Sequence, residues 1–324
     1  MIMAKVSVVI PVYNVEKYIE TCVRSLFEQT LHDVEYVFVD DCSPDRSVEI
    51  LKGLVGEYQT RLEEEGKVVR ILRMPVNSGQ AKVRREGVAH CTGEYIIHCD
   101  SDDWVETDMY RAMYETAVAS GSDVVVCDYW MTCTTSDVGT SCACHAHDAR
   151  ELIRNSLYLK DSWALWNKMF RRRCYSGIRF PSEAMGEDMV ITVQLLLSCG
   201  SFSHIPGPYY NYRMNPQSTT KKITKESCLR RFRQLKANSD MLFEILAEKP
   251  AGLDLSDGMV FFRNHIRSKL LPLVWNDEYY LLWRDTYPDL NRKVLLSRHI
   301  GMDVRLKVLL TTLRLYPGKK GRII

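Results

Sequence analysis

Three carboxylates fall within four positions at Asp100-Ser101-Asp102-Asp103, directly after the apolar run Ile96-Ile97-His98-Cys99. Two unit charges about 4 Å apart repel by roughly 4 kcal/mol at an effective dielectric near 20, so a partly buried cluster needs a cation, a proton or open water. Aspartates flanking one small residue offer hard oxygen ligands to Mg2+ or Mn2+ and leave coordination positions free for a diphosphate. Two more acidic pairs stand in comparable settings: Asp40-Asp41 after an apolar run, and Glu187-Asp188 between Gly186 and another. Each alone reads as a turn residue or a helix cap. Their recurrence at the ends of elements favours one shared site.

The elements that must position these acids follow from periodicity. Strands are expected over residues 6–12, 34–39, 68–72, 95–99 and 124–129, where β-branched residues cluster in short runs. Helices are expected between them, over 15–29, from the Ser43-Pro44 pair to about 65, over 79–89 and over 107–119. Strands separated by helices of this length imply crossover connections and a mainly parallel sheet covered on both faces. Such sheets bind ligands beyond the carboxyl ends of their strands. There the first strand runs into Pro11-Val12-Tyr13-Asn14, the second into Asp40-Asp41 and the fourth into the acidic cluster. Further on, residues 150–159 and 188–197 read as helices and residues 201–205 and 209–213 as two short strands. From residue 225 the pattern is helical and rich in Leu, Phe and Arg.

Several classes are excluded. The net charge of +2 in 324 residues argues against a nucleic-acid binder. No G-x-G-x-x-G follows the first strand and no G-x-x-x-x-G-K-[ST] loop occurs, which sets aside dinucleotide and P-loop enzymes. The acidic cluster lacks the glycine and glutamate of an EF-hand loop. Cys127, Cys133, Cys142, Cys144, His145 and His147 crowd together, but their spacings match no paired zinc-ligand pattern. Eleven scattered cysteines without a secretory leader read as reduced thiols, which implies a cytoplasmic protein. No apolar run approaches the roughly 20 residues that span a bilayer.

Taken in order, Val6-Ser7-Val8-Val9-Ile10-Pro11-Val12-Tyr13-Asn14, Val39-Asp40-Asp41-Cys42-Ser43-Pro44-Asp45, Asn77-Ser78-Gly79, Asp100-Ser101-Asp102-Asp103, Trp166-Asn167-Lys168 and Gly186-Glu187-Asp188 resemble the family-two glycosyltransferases of the GT-A fold. The resemblance covers residues 5 to 215. It implies an α/β fold of GT-A type, Rossmann-like with flanking helices, in a catalytic domain over residues 1–220. Within it, residues 1–130 form a nucleotide-binding half and 150–220 an acceptor half, and 221–324 follow as a helical C-terminal region.

The resemblance also implies chemistry: a sugar moved with inversion from a nucleotide-sugar donor, UDP-linked by family habit, to a hydroxyl of a glycan or lipid-linked acceptor. Pro11, Tyr13 and Asn14 are expected to line the base and ribose site, Asp40 to meet the base, Asp100 to lie against the ribose and Arg84 to face the nucleotide. Asp41, Asn77, Gly79 and Ser101 belong to the same site. Asp102, with Asp100, is the expected Mn2+ or Mg2+ ligand of the D-x-D motif, and Asp188, beside Glu187, the base. Trp166, Asn167 and Lys168 are placed on the acceptor side, although the tryptophan reads equally well as core. Two departures stand out: Arg85 follows Arg84 where an amide is common, and Tyr212-Arg213-Met214-Asn215 lacks the histidine that some GT-A enzymes use as a further metal ligand.

Two other readings are weighed: a haloacid-dehalogenase-type phosphatase or phosphotransferase, against which Trp104 and the late position of the motif argue, and a non-catalytic sugar-nucleotide-binding module. Finally, residues 305–322 combine apolar positions with Arg305, Lys307, Arg314, Lys319, Lys320 and Arg322. Such a tail is suited to peripheral contact with the inner face of an anionic membrane, or to packing as a last helix.

Overall fold

The computed structural model describes residues 4–132, 139–214, 224–248 and 254–316. The chain divides into two compact units, residues 1–153 with 161–215, and residues 154–160 with 216–324.

Among the described residues of the first unit nine strands form one sheet: β1 (Val6–Val12), β2 (Val34–Asp40), β3 (Val68–Arg73), β4 (Tyr95–His98), β5 (Trp104–Val105), β6 (Val124–Thr132), β7 (Thr140–Cys142), β8 (Lys168–Arg171) and β9 (Phe202–Arg213). Their order is β3-β2-β1-β4-β8-β6-β9-β5, with β7 beside β6. The helices are α1 (Ile19–Phe27), α2 (Ser47–Glu57), α3 (Gln59–Glu64), α4 (Gln80–Ala89), α5 (Met109–Ser120), the start of α6 (Ala149–Leu157), and α7 (Glu187–Ser198).

Alternation along β1 and β2 sorts the two faces. Val6, Val8, Ile10, Val34, Tyr36 and Phe38 join one core with Ile19, Val23 and Phe27 of α1, while Val9 and Val39 meet α4 at Gly87. Both faces are therefore covered, as a parallel sheet requires.

The sheet is mixed rather than mainly parallel. Strands β3, β2, β1 and β4 pair in parallel, but β8 enters antiparallel between β4 and β6. A four-residue strand carries too little periodicity to be read from sequence. The two short strands expected near the end of this unit are one, β9, whose register against β6 shifts around Asp128. There Gly207 takes a φ of +126° and its N–H donates to Asp128 Oδ2 (3.0 Å), so the glycine marks a bulge inside a strand. The helix expected from Ser43-Pro44 begins at Ser47 instead and breaks at Tyr58. Asp45 causes the late start, its Oδ1 accepting from the N–H (3.2 Å) and hydroxyl (2.6 Å) of Ser47.

The second unit holds the end of α6, α8 (Lys225–Ala247), α9 (Ser256–Ser268), α10 (Asp277–Asp285), α11 (Leu290–Leu296) and α12 (Met302–Thr312). Residues 154–160 fall here because Leu157 packs on Gly258 and Tyr158 on Phe261. They lie inside the acceptor half expected from sequence.

Strand β4, which carries the acidic cluster, seats against β1 through Gly93. A Cβ there would stand 2.6 Å from Ser7 N and 2.9 Å from the Val6 carbonyl carbon, and backbone cannot rotate away as a side chain can. Gly93→Ala should therefore lower stability by about 1–3 kcal/mol, seen as a lower urea midpoint at unchanged m-value. An unchanged midpoint would mean that the strand pair has slack.

Candidate active site

The strand order turns back at β1, which has β2 on one side and β4 on the other, so the crevice expected of such a sheet opens beyond the ends of these three strands. Val12 pairs with Asp40 in register, and Cys99 N–H donates to Val9 O (3.0 Å). The three polar strand ends therefore share one rim. Tyr13 and Asn14 are exposed on it, Asn14 with a φ of +55°, a conformation that asparagine tolerates better than most residues.

Each acid at the rim has different partners. Asp40 is buried, accepts from Ser43 N–H (2.8 Å) and lies 3.6 Å from Arg73 Nε. Asp41 grips the Asn77-Ser78-Gly79 turn, accepting from the N–H groups of Ser78 (2.6 Å) and Gly79 (2.9 Å). Gly79, at φ +83°, then opens α4. This turn lets the helix present Arg84 inward, while Arg85, one position on, is exposed.

Arg84 is the centre of the site. Only 2% exposed, it donates from Nη2 to Asp100 Oδ1 (2.7 Å) and from Nε to Glu187 Oε1 (2.9 Å). It thereby joins α4 to the acidic loop and to the first turn of α7, 103 positions away. Burial alone would lower its pKa, but Asp100, Glu187 and Asp188 together hold it above the ordinary value. Three carboxylates share one guanidinium, leaving an excess of negative charge. Glu187, nearly fully buried, is accordingly pushed up to about 7, by burial first and by Asp188 and Asp100 besides. Asp188 is partly exposed and also shifted upward, burial again leading. Its Oδ1 accepts from Met189 N–H (2.8 Å).

The rest of the acidic loop is held from β9. Asp103, 1% exposed, accepts from Tyr210 Oη (2.7 Å) and from Arg213 N–H (2.7 Å), and burial raises its pKa well above the carboxylate range. Tyr210 in turn accepts from Asp100 N–H (3.1 Å), and Arg213 Nε donates to Asp102 O (2.8 Å). Asp102 remains partly exposed, with a pKa raised to about 6 by burial and by the charge of Asp100. Ser101 is buried between them. The pairing of Asp103 with Tyr210 and Arg213 is not legible in the sequence. Three aspartates in four positions hinted that one must face inward, but its partners lie 107 and 110 positions away.

On the expected acceptor side, Trp166 stacks on Tyr210 at 4.2 Å and on Tyr212 at 5.8 Å between centroids. Asn167 donates to Cys127 O (2.8 Å), and Lys168 Nζ to Ser162 O (2.9 Å), Ala164 O (2.7 Å) and Asn167 Oδ1 (2.8 Å). Burial pulls the Lys168 pKa down to about 8. The polar ends of Asn167 and Lys168 are thus turned into the protein, where they hold the 162–168 turn.

The donor set offered at the loop, carboxylates without nitrogen or sulfur, fits a hard divalent cation. Asp102, partly exposed beside Asp100, is the residue of the loop that could hold one. Among the described residues no three His, Cys, Asp or Glu side chains converge as a ready-made metal cage. The remaining ligands would therefore be oxygens of substrate or water. Of the crowded cysteines and histidines noted in the sequence, Cys133 lies outside the described residues, while His145 pairs with Asp161 (3.1 Å).

The Glu187 shift has a testable sign. The folded protein holds this proton more tightly than the unfolded chain, so Glu187 costs nothing below its ordinary value of 4.5 and increasingly more up to about 7. There the cost levels off, on the order of 3 kcal/mol. Glu187→Gln removes the titration. Its stability relative to the parent should climb by that order across this window, in urea unfolding at a series of pH values. A constant difference would show Glu187 ionised throughout.

Comparison with known proteins bears on the family and the fold. The sequence model of Glycosyl transferase family 2 matches residues 7–183. Among curated proteins the chain is similar to glycosyltransferase EpsH of Bacillus subtilis, 30% identical over 230 residues, 68% of this chain and 64% of that one. It is also similar to glycosyltransferase GlyA of Streptococcus pneumoniae, 28% identical over 233 residues, 68% of this chain and 32% of that one. The matches thus span less than two thirds of these relatives' own lengths. Among solved structures, S. aureus TarS 1–349 in complex with UDP superposes with a TM-score of 0.70 at 20% identity, covering 97% of this chain and 89% of that one. Mannosyltransferase PcManGT from Pyrobaculum calidifontis, in complex with GDP-Man and Mn2+, reaches 0.56 at 15% identity, covering 97% and 80%. These structural likenesses establish a GT-A fold, and with the family match over more than half of its length the chain belongs to the family 2 glycosyltransferases.

Proposed function

We propose that this protein transfers a sugar from a nucleotide-sugar donor, UDP-linked by analogy with the TarS complexes, to a hydroxyl of a glycan or lipid-linked acceptor, with inversion at the anomeric carbon. One observation carries the reading: Arg84 ties Asp100, on the donor loop, to the helix turn that bears Asp188. A nucleotide held beyond β1, β2 and β4 therefore lies next to a carboxylate able to accept a proton.

In this reading Pro11, Tyr13, Asn14, Asp40 and the turn held by Asp41 surround the base and ribose. Asp100 and Asp102 face the diphosphate and would hold Mn2+ or Mg2+. A divalent cation bound there supplies positive charge against which the diphosphate departs. Asp188 takes the proton of the attacking hydroxyl as its oxygen bonds to the anomeric carbon and the bond from that carbon to the diphosphate oxygen breaks. Burial makes Asp188 a stronger base than a solvated aspartate. Glu187, protonated near neutral pH or paired with Arg84, orients the cluster. Trp166 with Tyr212 offers an aromatic wall for the acceptor. The family match argues against the phosphatase reading, and both Asp102 and Asp188 are present, unlike in an inert binding module. We place the reaction in the cytoplasm, in keeping with ten free thiols among the described residues.

Asp188→Asn should lose roughly 10²- to 10⁴-fold in turnover while donor affinity is kept, measured by nucleoside diphosphate release and titration calorimetry. Undiminished turnover would remove the assignment. Asp102→Asn should weaken donor binding in Mn2+ and leave binding in chelator unchanged. Equal loss in both would count against its role as a metal ligand.

A further inference from the structure

Helix α12 is apolar on two opposite faces. Its inner face packs through Val308 and Thr311, 4% and 1% exposed. At about 100° per residue, Met302, Leu306, Leu309 and the C-cap residue Leu313 fall on the far side. They are 73%, 54%, 40% and 57% exposed. A surface helix buries one apolar stripe and turns polar residues outward, so a second stripe opposite the first needs its own cover. Arg305 borders it on one side and Asp303 on the other, while Lys307 lies nearer the inner face and pairs with Asp303 (3.6 Å).

Charge identifies the cover. Residues 289–316 hold six Lys and Arg against two Asp, a net +4 in a chain whose total is +2, and the sequence continues with Lys319, Lys320 and Arg322 and no acid. A two-fold contact with a second copy would set these cations against each other. An anionic bilayer complements them and takes up the apolar side chains as well. Among the described residues no helix is long and apolar enough to cross a membrane, so the mode that fits is lying on the surface.

We propose that the outer face of α12 docks on an anionic lipid surface, with Met302, Leu306, Leu309 and Leu313 entering the headgroup boundary and Arg305, with the other Lys and Arg residues of 289–322, drawn to lipid phosphates. The inference stands apart from the transfer reaction, because vesicle binding is read without donor or acceptor.

The experiment is co-sedimentation of the full chain with phosphatidylcholine vesicles containing about one third phosphatidylglycerol. Three comparisons accompany it: phosphatidylcholine alone, high salt, and the triple variant Leu306→Gln/Leu309→Gln/Leu313→Gln. The parent should bind the anionic vesicles roughly tenfold or more tightly than neutral ones, and should release in high salt as screening shortens the reach of its charges. The triple variant, its substitutions confined to exposed positions, should lose roughly tenfold in binding at an unchanged melting temperature. A parent that stays in the supernatant, or a variant that pellets equally, overturns the proposal. So does a parent that sediments as a dimer in the absence of lipid while the variant is monomeric, since the stripe would then be covered by a second copy.

Discussion

The site depends on one buried cation. Arg84 lies where burial opposes its charge, and it is tolerated because Asp100, Glu187 and Asp188 surround it. Removing one partner of a buried ion pair commonly costs 3–5 kcal/mol, because the other is left charged in a poor solvent. Here the balance is tighter, since three acids compete for one guanidinium, and burial together with the neighbouring carboxylates raises the proton affinity of Glu187 and Asp188. Arg84 Nη1 and Glu187 Oε2 are both buried without a hydrogen-bond partner among the described residues. A scaffold built only for stability would not retain such atoms, and functional sites are where local rules are broken at a cost borne elsewhere.

A second constraint holds the acidic loop. Asp103 gives its carboxylate to Tyr210 and to the backbone of Arg213, and Tyr210 reaches back to the Asp100 N–H. With Asp103 turned inward, Asp100 and Asp102 are left at the cleft. The guanidinium of Arg213 stands 4.6 Å above the Trp104 ring and 5.1 Å above that of Tyr18, which anchors the end of β9 over the loop. Trp166 then stacks on Tyr210. The wall read as acceptor side and the loop read as donor side therefore share one aromatic contact, so a shift in either is felt by the other.

The second unit is organised by different forces. It is all helical among the described residues, and it buries Arg267 at 0% exposure with the guanidinium 4.1 Å above the Trp283 ring. A weakly hydrated, delocalised cation on an indole face is among the few ways to bury such a charge without a carboxylate. Cations and exposed leucines dominate its far end.

The amino-acid sequence by itself determined the parallel half of the sheet, the polar strand ends and the family. These rest on local patterns: β-branched runs, crossover helices and ordered motifs such as Asp100-Ser101-Asp102 and Gly186-Glu187-Asp188. Only the tertiary structure decided that β8 enters the sheet antiparallel, that β9 is one bulged strand, and that Asn167 and Lys168 point inward. It alone paired Asp41 with the turn at residues 77–79, Arg84 with Glu187, and Asp103 with Tyr210. The reason is physical. Which of several neighbouring acids is buried depends on donors that approach from elements 37 to 110 positions distant, and a periodicity read along the chain carries no information about what arrives from the side.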